Sequence, residues 1–244
     1  MLLNTDAKML EWVCAVYLSQ DAVGMDEIIR GFDIHDDNQK RFKLPERTLA
    51  KVLLFRTIYG GTGYSFATDP LTGSAGGEGW WDEAIANFYA KYKGLYAWHE
   101  RLVQRVVESN GRLEVPTGRI YQFQPYKNQR GEVKWPRTKI LNYPVQGLAA
   151  DLMSIVRVSL IKRLEPYIRR INGILIVNTV HDSVVFDITP EVWDNSSKDI
   201  ISIVQEVFED VPLNFKKLFG VEFNLPLKAD ITAGTDWKNM KEVT

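Results

Sequence analysis

The sequence predicts an α+β fold, in which helices pack on a small antiparallel sheet and a helical insertion separates its strands. Apolar runs with strand character lie near both ends of the chain, at 1–6 and 174–188, and segments of helical periodicity lie between them. The 244 residues are 45% hydrophobic, which is enough for one sizeable core and a flexible subdomain. The single cysteine, Cys14, excludes an internal disulfide framework, and we expect it to be buried.

In the N-terminal half, boundary residues and apolar patterns predict where the helices and strands begin and end. After an opening strand at 1–6, apolar residues fall on one side of a helix at 8–19. A short helix at 25–30 ends at a glycine, and another helix runs from 45–46 to about 59, where a Gly-Gly pair stops it. Residues 70–79 are rich in glycine and serine and predict a loop. Residues 81–109 predict one long amphipathic helix or two.

The C-terminal half returns to the sheet. Residues 112–140 predict a strand, a hairpin at 128–131 and a returning strand. The remaining predicted elements are a helix that Asn142 and Pro144 start and that reaches about 164, two strands at 174–180 and 183–188 around a tight turn, a helix from Pro190 to about 209, and a last strand near 228–231.

Charge is nearly balanced over the whole chain. The net charge of −1 counts mildly against avid non-specific binding of nucleic acid. Two local patches are basic nonetheless. They comprise Arg41, Lys43, Arg47, Lys51 and Arg56, and Lys127, Arg130, Lys134, Arg137 and Lys139. Because no N-terminal leader is visible and no run approaches 18 apolar residues, the sequence predicts a cytoplasmic protein without a membrane partner.

A four-residue series combines cations with aromatic rings. Arg47, Lys51, Phe55 and Tyr59 follow one another every fourth residue, and each step of four residues turns a helix by only about 40° beyond a full circle. All four therefore share one face, where two cations can grip phosphates and two rings can contact a sugar and a base. The spacing alone would equally suit a solvated basic turn followed by core aromatics.

Two aspartates end predicted buried strands. Asp6 closes the opening strand, and Asp182 follows the apolar run at 174–180. Burying a carboxylate at such a position costs free energy unless a positive group lies beside it. The hard carboxylate oxygens are ligands that suit Mg²⁺. Asp6 also precedes a helix and could be its cap. Together with the four-residue series, the two acids indicate a nucleotidyl-transfer site.

Several segments, in this order, resemble the motifs of family A DNA polymerases, the class of bacterial DNA polymerase I and many phage replicases. The series from Arg47 to Tyr59, followed by Gly60, resembles the fingers-helix motif. The other matching segments are Asp6-Ala7-Lys8-Met9-Leu10-Glu11, Leu18-Ser19-Gln20-Asp21, Asp33-Ile34-His35, Thr117-Gly118-Arg119, Asn142-Tyr143-Pro144-Val145-Gln146-Gly147 with Ala150-Asp151, Val180-His181-Asp182-Ser183, and Gly234-Thr235-Asp236-Trp237. Each segment alone is weak evidence for the family, but the ordered set of segments covers nearly the whole chain, which makes the resemblance strong.

The resemblance implies a catalytic centre with two Mg²⁺ ions. Asp6 and Asp182 would hold both ions, and the main-chain carbonyl of Ala7 would complete a coordination shell. Lys51 would stabilise charge on the phosphates and protonate the pyrophosphate. Arg47 and His35 would contact the triphosphate of a dNTP. Phosphoryl transfer needs mainly position and charge neutralisation, which these groups would supply.

The resemblance also implies a choice of sugar. Glu11 matches the family's steric gate, which crowds a ribose 2′-hydroxyl against Tyr59. Without that context, Glu11 would equally be a surface glutamate on a helix. Phe55 at the sugar position implies rejection of dideoxynucleotides.

Four further residues match positions that touch DNA. They are Arg119, Asn142, Gln146 and His181. Asn142 and Gln146, four residues apart, share a helix face and could reach minor-groove acceptors without reading sequence, although a helix cap and an exposed amide would explain them too. His181 would lie near the primer terminus, unless it forms only a structural pair with its neighbour. His99, among charged neighbours, is expected at the surface.

The resemblance divides the chain into palm and fingers. Residues 1–22 would form the first part of the palm, 23–110 the fingers insertion with connecting helices, and 111–244 the rest of the palm sheet. The family's thumb would lie upstream, so we expect a split or truncated polymerase that works with a thumb-bearing polypeptide or a missing N-terminal half. The opening strand would then leave an unpaired sheet edge. The motifs look phage-like, which would place the protein in the host cytoplasm.

The expected activity is template-directed addition of dNTPs to the 3′-hydroxyl of a DNA primer on its template. A single-subunit RNA polymerase is the nearest rival, because it shares the Arg-xxx-Lys and Tyr-Gly pattern. Glu11, Phe55 and the segment 142–146 favour the DNA enzyme. A non-catalytic, nucleic-acid-binding half of a polymerase is the rival from another class.

Overall fold

The α+β class is confirmed by a computed structural model that describes residues 1–170 and 172–243. The helices are α1 Leu10–Ser19, α2 Ala22–Arg30, α3 Ile34–Arg41, α4 Arg47–Ile58, α5 Gly63–Ala67, α6 Glu78–Lys91, α7 Lys93–Glu108, α8 Arg137–Arg163, α9 Pro190–Glu209 and α10 Val211–Phe219. The strands are β1 Leu2–Ala7, β2 Arg112–Glu114, β3 Ile120–Gln122, β4 Tyr126–Lys127, β5 Val133–Lys134, β6 Ile174–Val180, β7 Ser183–Ile188, β8 Ala229–Gly234 and β9 Lys241–Glu242.

The chain folds into two compact units. The sheet unit comprises residues 1–10 and 148–244, and the helix-rich unit comprises residues 11–147. The functional division into palm and fingers, at residues 1–22, 23–110 and 111–244, stays a prediction.

The sheet unit is built on a five-stranded antiparallel sheet with the order β6-β7-β1-β8-β9. Residues of β1 alternate strictly between buried and half-exposed, so that Leu3, Thr5 and Ala7 face the core while Asp6 faces the other side. Because β1 pairs with β7 on one side and β8 on the other, the expectation that it forms an unpaired edge is wrong. The long exposed edge is β6, and the short β9 forms the other.

Helices α9 and α10 supply much of the apolar core of the sheet unit. α9 begins at Pro190, as predicted, because proline suits the first turn of a helix, where its missing N–H costs nothing. Its buried face carries Val204, Val207 and Phe208. On α10, Phe215 is fully buried, and its ring centroid lies 5.4 Å from that of Phe223.

The core of the helix-rich unit is aromatic. Trp12 on α1 packs edge-on against Tyr92, with ring centroids 4.9 Å apart. Phe66 on α5 stacks on Trp81 of α6, with centroids 4.5 Å apart. Such paired rings add to the hydrophobic free energy of burying large side chains. Cys14 is buried and is not part of a disulfide, as predicted.

A buried ion network ties α2, α3 and α6 together. The Lys91 side chain is only 4% exposed, and its ammonium lies 2.8 Å from both Glu27 Oε1 and Asp37 Oδ2. It also donates to Asn38 Oδ1 over 2.7 Å, and the Tyr92 hydroxyl donates to Glu27 Oε2 over 2.9 Å. Each charge is thereby compensated, which is the condition for burying ions.

Of the two alternatives predicted for the segment 81–109, the structure has two helices, α6 and α7, which meet at Tyr92, where the backbone leaves helical geometry (φ −102°, ψ 67°). The predicted start of α8 needs correction, and α3 is an additional helix. α8 begins at Arg137, five residues before the predicted start at Asn142, and therefore contains Pro144 in its interior. α3 was not predicted, because its sequence has no apolar periodicity and its start is fixed by the Asp33 cap.

The expectation that His99 lies at the surface is wrong. Its side chain is fully buried, and its Nδ1 lies 3.0 Å from the Tyr89 hydroxyl. Burial, with a smaller contribution from the nearby Arg137 charge, lowers the pKa of His99 to about 3.

By length and composition alone, α8 would be able to cross a membrane. Half of the apolar window that gives this result is buried within the protein, as in the core helix of a globular domain.

Candidate active site

The two predicted metal-binding aspartates lie side by side in the sheet unit. Asp6, on β1, is the register partner of Ser183 on β7, and the Ala7 amide donates to the Asp182 carbonyl over 2.9 Å. Asp182 thus lies opposite Ala7, one position away from the residue opposite Asp6. Both aspartates are half-buried. Main-chain pairing therefore holds Asp6 and Asp182 at neighbouring backbone positions.

The hairpin that carries Asp182 has an unusual backbone. Its loop consists of His181 and Asp182, between the paired residues Val180 and Ser183. His181 has a φ of +51°, a left-handed conformation that a side chain seldom adopts outside tight turns. The imidazole of His181 is exposed beside Asp182.

The residues present fit a divalent metal that its substrate helps to hold. Among the described residues, no group of three or more His, Cys, Asp or Glu side chains forms a complete metal cage. Mg²⁺ is commonly held by one or two carboxylates, several waters and substrate phosphates. Asp6, Asp182 and the carbonyl of Ala7 form a donor set of that kind, made only of oxygen.

In the helix-rich unit, three members of the four-residue series line one cavity. Lys51, Phe55 and Tyr59 border a space of about 640 Å³, together with Gly60 and Gly61. Lys51 is exposed. Gly60 is required here, because it has a φ of +78° and an added Cβ would lie 2.9 Å from Leu141 Cδ1. The cavity combines a cation with two rings, as the helical spacing predicts.

Arg47, the fourth member of the series, does not line this cavity. Its guanidinium forms ion pairs with Asp33, at 2.9 Å, and with Asp36, at 2.7 Å. Asp33 also caps α3 by accepting hydrogen bonds from the amides of His35 and Asp36. Although slight burial acts to raise the pKa of Asp33, these amide hydrogen bonds and Arg47 lower it overall. The sequence analysis named Asp33 only as part of a matching segment, and it did not predict that Asp33 and Asp36 pair with Arg47.

His35 is placed beside the series. Its ring centroid lies 6.2 Å from that of Phe55, and the side chain is 8% exposed. Its Nδ1 is buried without a hydrogen-bond partner among the described residues. Burial lowers the pKa of His35, and the charges of Arg47 and Lys51 lower it further against the opposing effect of Asp33. The imidazole is therefore neutral at neutral pH.

Glu11 and Tyr59, the two residues of the predicted sugar gate, lie near each other. Burial raises the pKa of the Tyr59 hydroxyl far above its ordinary value, and the Glu11 carboxylate raises it further, whereas Gln146 acts in the opposite direction. The hydroxyl is buried without a hydrogen bond of good geometry among the described residues. Glu11 and Gln146 therefore lie close enough to influence Tyr59 without fixing its hydroxyl.

Arg119 and Gln146, two of the residues predicted to contact DNA, lie where α8 passes close to β3. An added Cβ at Gly147 would lie 1.8 Å from the Tyr121 hydroxyl and 3.2 Å from Arg119 Cδ. Glycine at 147 is what allows β3 and the preceding loop to come this near to the helix. Gln146, next to Gly147, is exposed, as is Arg119.

Asn142 is half-buried one turn before Gln146, and its Oδ1 has no hydrogen-bond partner among the residues that the structure describes. Asn142 is inside α8 and not at its start, so the alternative role of a helix cap does not apply.

An acid on β1, an acid in the loop of the β6–β7 hairpin, and a helix that carries cations and rings are the features that the sequence resemblance predicts. The sequence profile of DNA polymerase family A matches residues 1–239. The chain belongs to this family.

Individual relatives are distant and much longer. The chain is 25% identical, over 257 aligned residues, to DNA polymerase I of Lactococcus lactis subsp. cremoris, covering 99% of the chain and 26% of that protein. It is 26% identical to the thermostable DNA polymerase I of Thermus filiformis, covering 99% of the chain and 27% of that protein. The chain thus spans about a quarter of the length of these curated relatives.

A solved structure shares the fold. The POL domain of Pol1 from M. smegmatis, in complex with DNA primer-template and dNTP, matches 97% of this chain and 40% of its own chain, with a TM-score of 0.78 and 18% identity.

Proposed function

We propose that this chain carries the catalytic part of a DNA-directed DNA polymerase, which adds dNTPs to the 3′-hydroxyl of a primer on a DNA template. The observation that carries the proposal is the adjacency of Asp6 and Asp182, held by the hydrogen bond between the Ala7 amide and the Asp182 carbonyl. Membership of the family gives the reaction class.

In this proposal, Asp6, Asp182 and the Ala7 carbonyl hold two Mg²⁺ ions. When bound, the ions would neutralise phosphate charge and lower the pKa of the primer hydroxyl. The task of the chain is to hold the two carboxylates at a fixed spacing. Asp6 lies on β1 and Asp182 in the loop of the adjoining β6–β7 hairpin of a five-stranded sheet, which supports this role, because paired strands hold such a loop in place.

The incoming nucleotide is proposed to bind along α4. Lys51 would neutralise the triphosphate and pass a proton to the leaving pyrophosphate. Phe55 and Tyr59 would contact the sugar and the base, and the cavity that they share with Lys51 supports this arrangement. Arg47 and His35 would add contacts to the triphosphate.

Glu11 is proposed to select deoxyribose. A carboxylate near the Tyr59 hydroxyl leaves little room for a ribose 2′-hydroxyl, and the effect of Glu11 on the pKa of Tyr59 supports this proximity. The DNA duplex would contact Arg119, Asn142 and Gln146, and the primer terminus would lie near His181.

A thumb-bearing segment, supplied by another polypeptide or by an N-terminal half, is proposed to hold the duplex. The relatives that the chain matches are about four times as long, which supports further parts acting with it. We propose that the protein acts in the cytoplasm, and in the cytoplasm of the host if a phage encodes it.

The test is Mg²⁺-dependent extension of a labelled DNA primer on its template, with dNTPs and rNTPs in parallel. The proposal predicts dNTP extension that Asp182→Ala abolishes. Extension with rNTPs instead would support an RNA polymerase. DNA binding without extension, unchanged by Asp182→Ala even when a thumb-bearing partner is supplied, would support a non-catalytic half.

A further inference from the structure

A small cavity in the sheet unit lies beside the hairpin that carries Asp182. Its volume is about 200 Å³, and α8 and the β6–β7 hairpin form its walls. Arg157 and Ser154 line it from α8, and Thr179, His181 and Ser183 line it from the hairpin. Among the described residues, its lining contains no Asp or Glu, so the cavity offers only cationic, hydroxyl, imidazole and apolar groups.

Arg157 is held in place by a neutral group. Its Nη2 donates to Ser154 Oγ over 3.1 Å, and Ser154 Oγ in turn donates to the Ala150 carbonyl over 2.8 Å. A guanidinium has five N–H donors, so this single hydrogen bond leaves a planar fork of donors available. Arg157 is exposed.

Several other arginines of this protein are neutralised by acids. Arg47 pairs with Asp33 and Asp36, and Arg163 pairs with Glu206 at 2.9 Å. Within residues 1–170 and 172–243, Arg157 forms no ion pair with a carboxylate. Its charge is therefore available to an anion from outside the chain.

The cavity adjoins the catalytic carboxylates through the hairpin. Ser183 is the register partner of Asp6, and Thr179 and His181 lie on the same hairpin as Asp182. A polyanion with its reactive end at Asp6 and Asp182 would therefore have a neighbouring group within reach of Arg157.

We propose that this cavity binds a backbone phosphate of the primer strand close to its 3′ end, with Arg157 as the charged donor and with the Thr179 hydroxyl as an additional one. A guanidinium fork matches the geometry of phosphate oxygens. Arg157 is thus a positioning residue, which sets the register of the primer on the hairpin. This inference rests on the proposed function, because it takes the acids as the place of the reacting hydroxyl.

The experiment compares Arg157→Gln with Lys162→Gln. Lys162 is an exposed cation five residues further along α8 and does not line the cavity, so its variant removes the same charge elsewhere. Equilibrium binding of a labelled primer-template is measured over a salt series. It is repeated with primers in which one of the three linkages nearest the 3′ end is an uncharged methylphosphonate. Arg157→Lys tests whether the fork is needed beyond the charge.

We expect Arg157→Gln to weaken binding about tenfold, in line with the loss of a charged hydrogen bond. The slope of log affinity against log salt should fall by about 0.7–0.9, as for one lost phosphate contact. Lys162→Gln should leave the affinity and the salt slope near their wild-type values. The affinity of Arg157→Lys should lie between those of the wild type and Arg157→Gln. One methylphosphonate position should weaken wild-type binding and leave Arg157→Gln unaffected.

Two results would overturn the site. One is an Arg157→Gln variant that equals Lys162→Gln at every linkage and salt concentration, and the other is a wild-type chain that does not bind primer-template. Single-nucleotide extension, run in parallel, separates this inference from the proposed function. Extension by a wild-type chain that is indifferent to Arg157→Gln rejects the site alone. Binding that depends on Arg157 without any extension rejects the polymerase activity alone.

Discussion

The Ala7 amide donates a hydrogen bond to the Asp182 carbonyl over 2.9 Å, so the β6–β7 hairpin is fastened to β1 next to Asp6. Asp6 on β1 and Asp182 in the hairpin loop, which are distant in the chain, are thereby held near each other by main-chain contacts. Side-chain substitution at either aspartate leaves these contacts in place. The chemistry of the site can therefore be altered without loss of its scaffold.

The Glu11→Ala variant should accept rNTPs more readily than the wild type. Removing the carboxylate near Tyr59 opens space for a 2′-hydroxyl, and exclusion of one small group is worth about 10- to 200-fold in specificity. The measurement is the ratio of kcat/KM for dNTP and rNTP in single-nucleotide extension. An unchanged ratio would remove Glu11 from sugar selection.

The Asp36→Asn variant should lower the KM for dNTP about two- to fivefold at low salt, because the exposed ion pair that it weakens competes with the triphosphate for Arg47. The gain should shrink at high salt, where exposed charges are screened.

Asp26→Asn is the matched control for Asp36→Asn, since Asp26 is similarly exposed and pairs with Arg30 away from the α4 series. Equal KM values for the two variants would show that Arg47 is not restrained by Asp36.

His99 should make the folded state lose stability in mild acid. Its folded pKa of about 3 lies below the ordinary value of 6.5, so the unfolded chain binds more protons between these two values. Unfolding free energy should therefore fall as pH falls below about 6.5, by up to about 1.4 kcal/mol per pH unit from this group. Denaturant unfolding of wild type and His99→Gln at pH 7 and 5.5 measures this difference. A variant with the same pH dependence as wild type would contradict it.

Lys91→Met should destabilise the helix-rich unit strongly. It leaves the carboxylates of Glu27 and Asp37 without their buried partner, and breaking a buried pair in this way costs about 3–5 kcal/mol. Lys93→Met, at an exposed position two residues later, serves as control. Denaturant unfolding should separate the variants clearly. A loss no larger than that of the control would mean that solvent compensates the two acids.

Local sequence signals gave the elements with clear boundaries. α9 begins at Pro190 as predicted, and the strands on both sides of His181 and Asp182 have the predicted limits. The hairpin was predictable because apolar runs on each side of a polar pair have few other solutions. The short polar helix α3 was not, because its stability comes from the Asp33 cap and from tertiary contacts.

The site was predictable where it depends on helical spacing and less so where it depends on distant segments. Lys51, Phe55 and Tyr59 share a cavity because they share a helix face. The ion pairs of Arg47 arise from the fold of α3 and have no local signal. The position of Arg157 beside the hairpin likewise follows from tertiary structure.

The most direct test of the central claim is the rate of a single dNTP addition by wild type, Asp182→Asn and Asp194→Asn. Asp194 is an exposed acid on α9 and controls for the change of charge. We predict that Asp182→Asn lowers the rate by about 10²–10³-fold or more, because the metals lose a carboxylate, while Asp194→Asn stays near wild type and both variants keep the wild-type melting temperature. An Asp182→Asn variant that extends the primer at the wild-type rate would contradict the account.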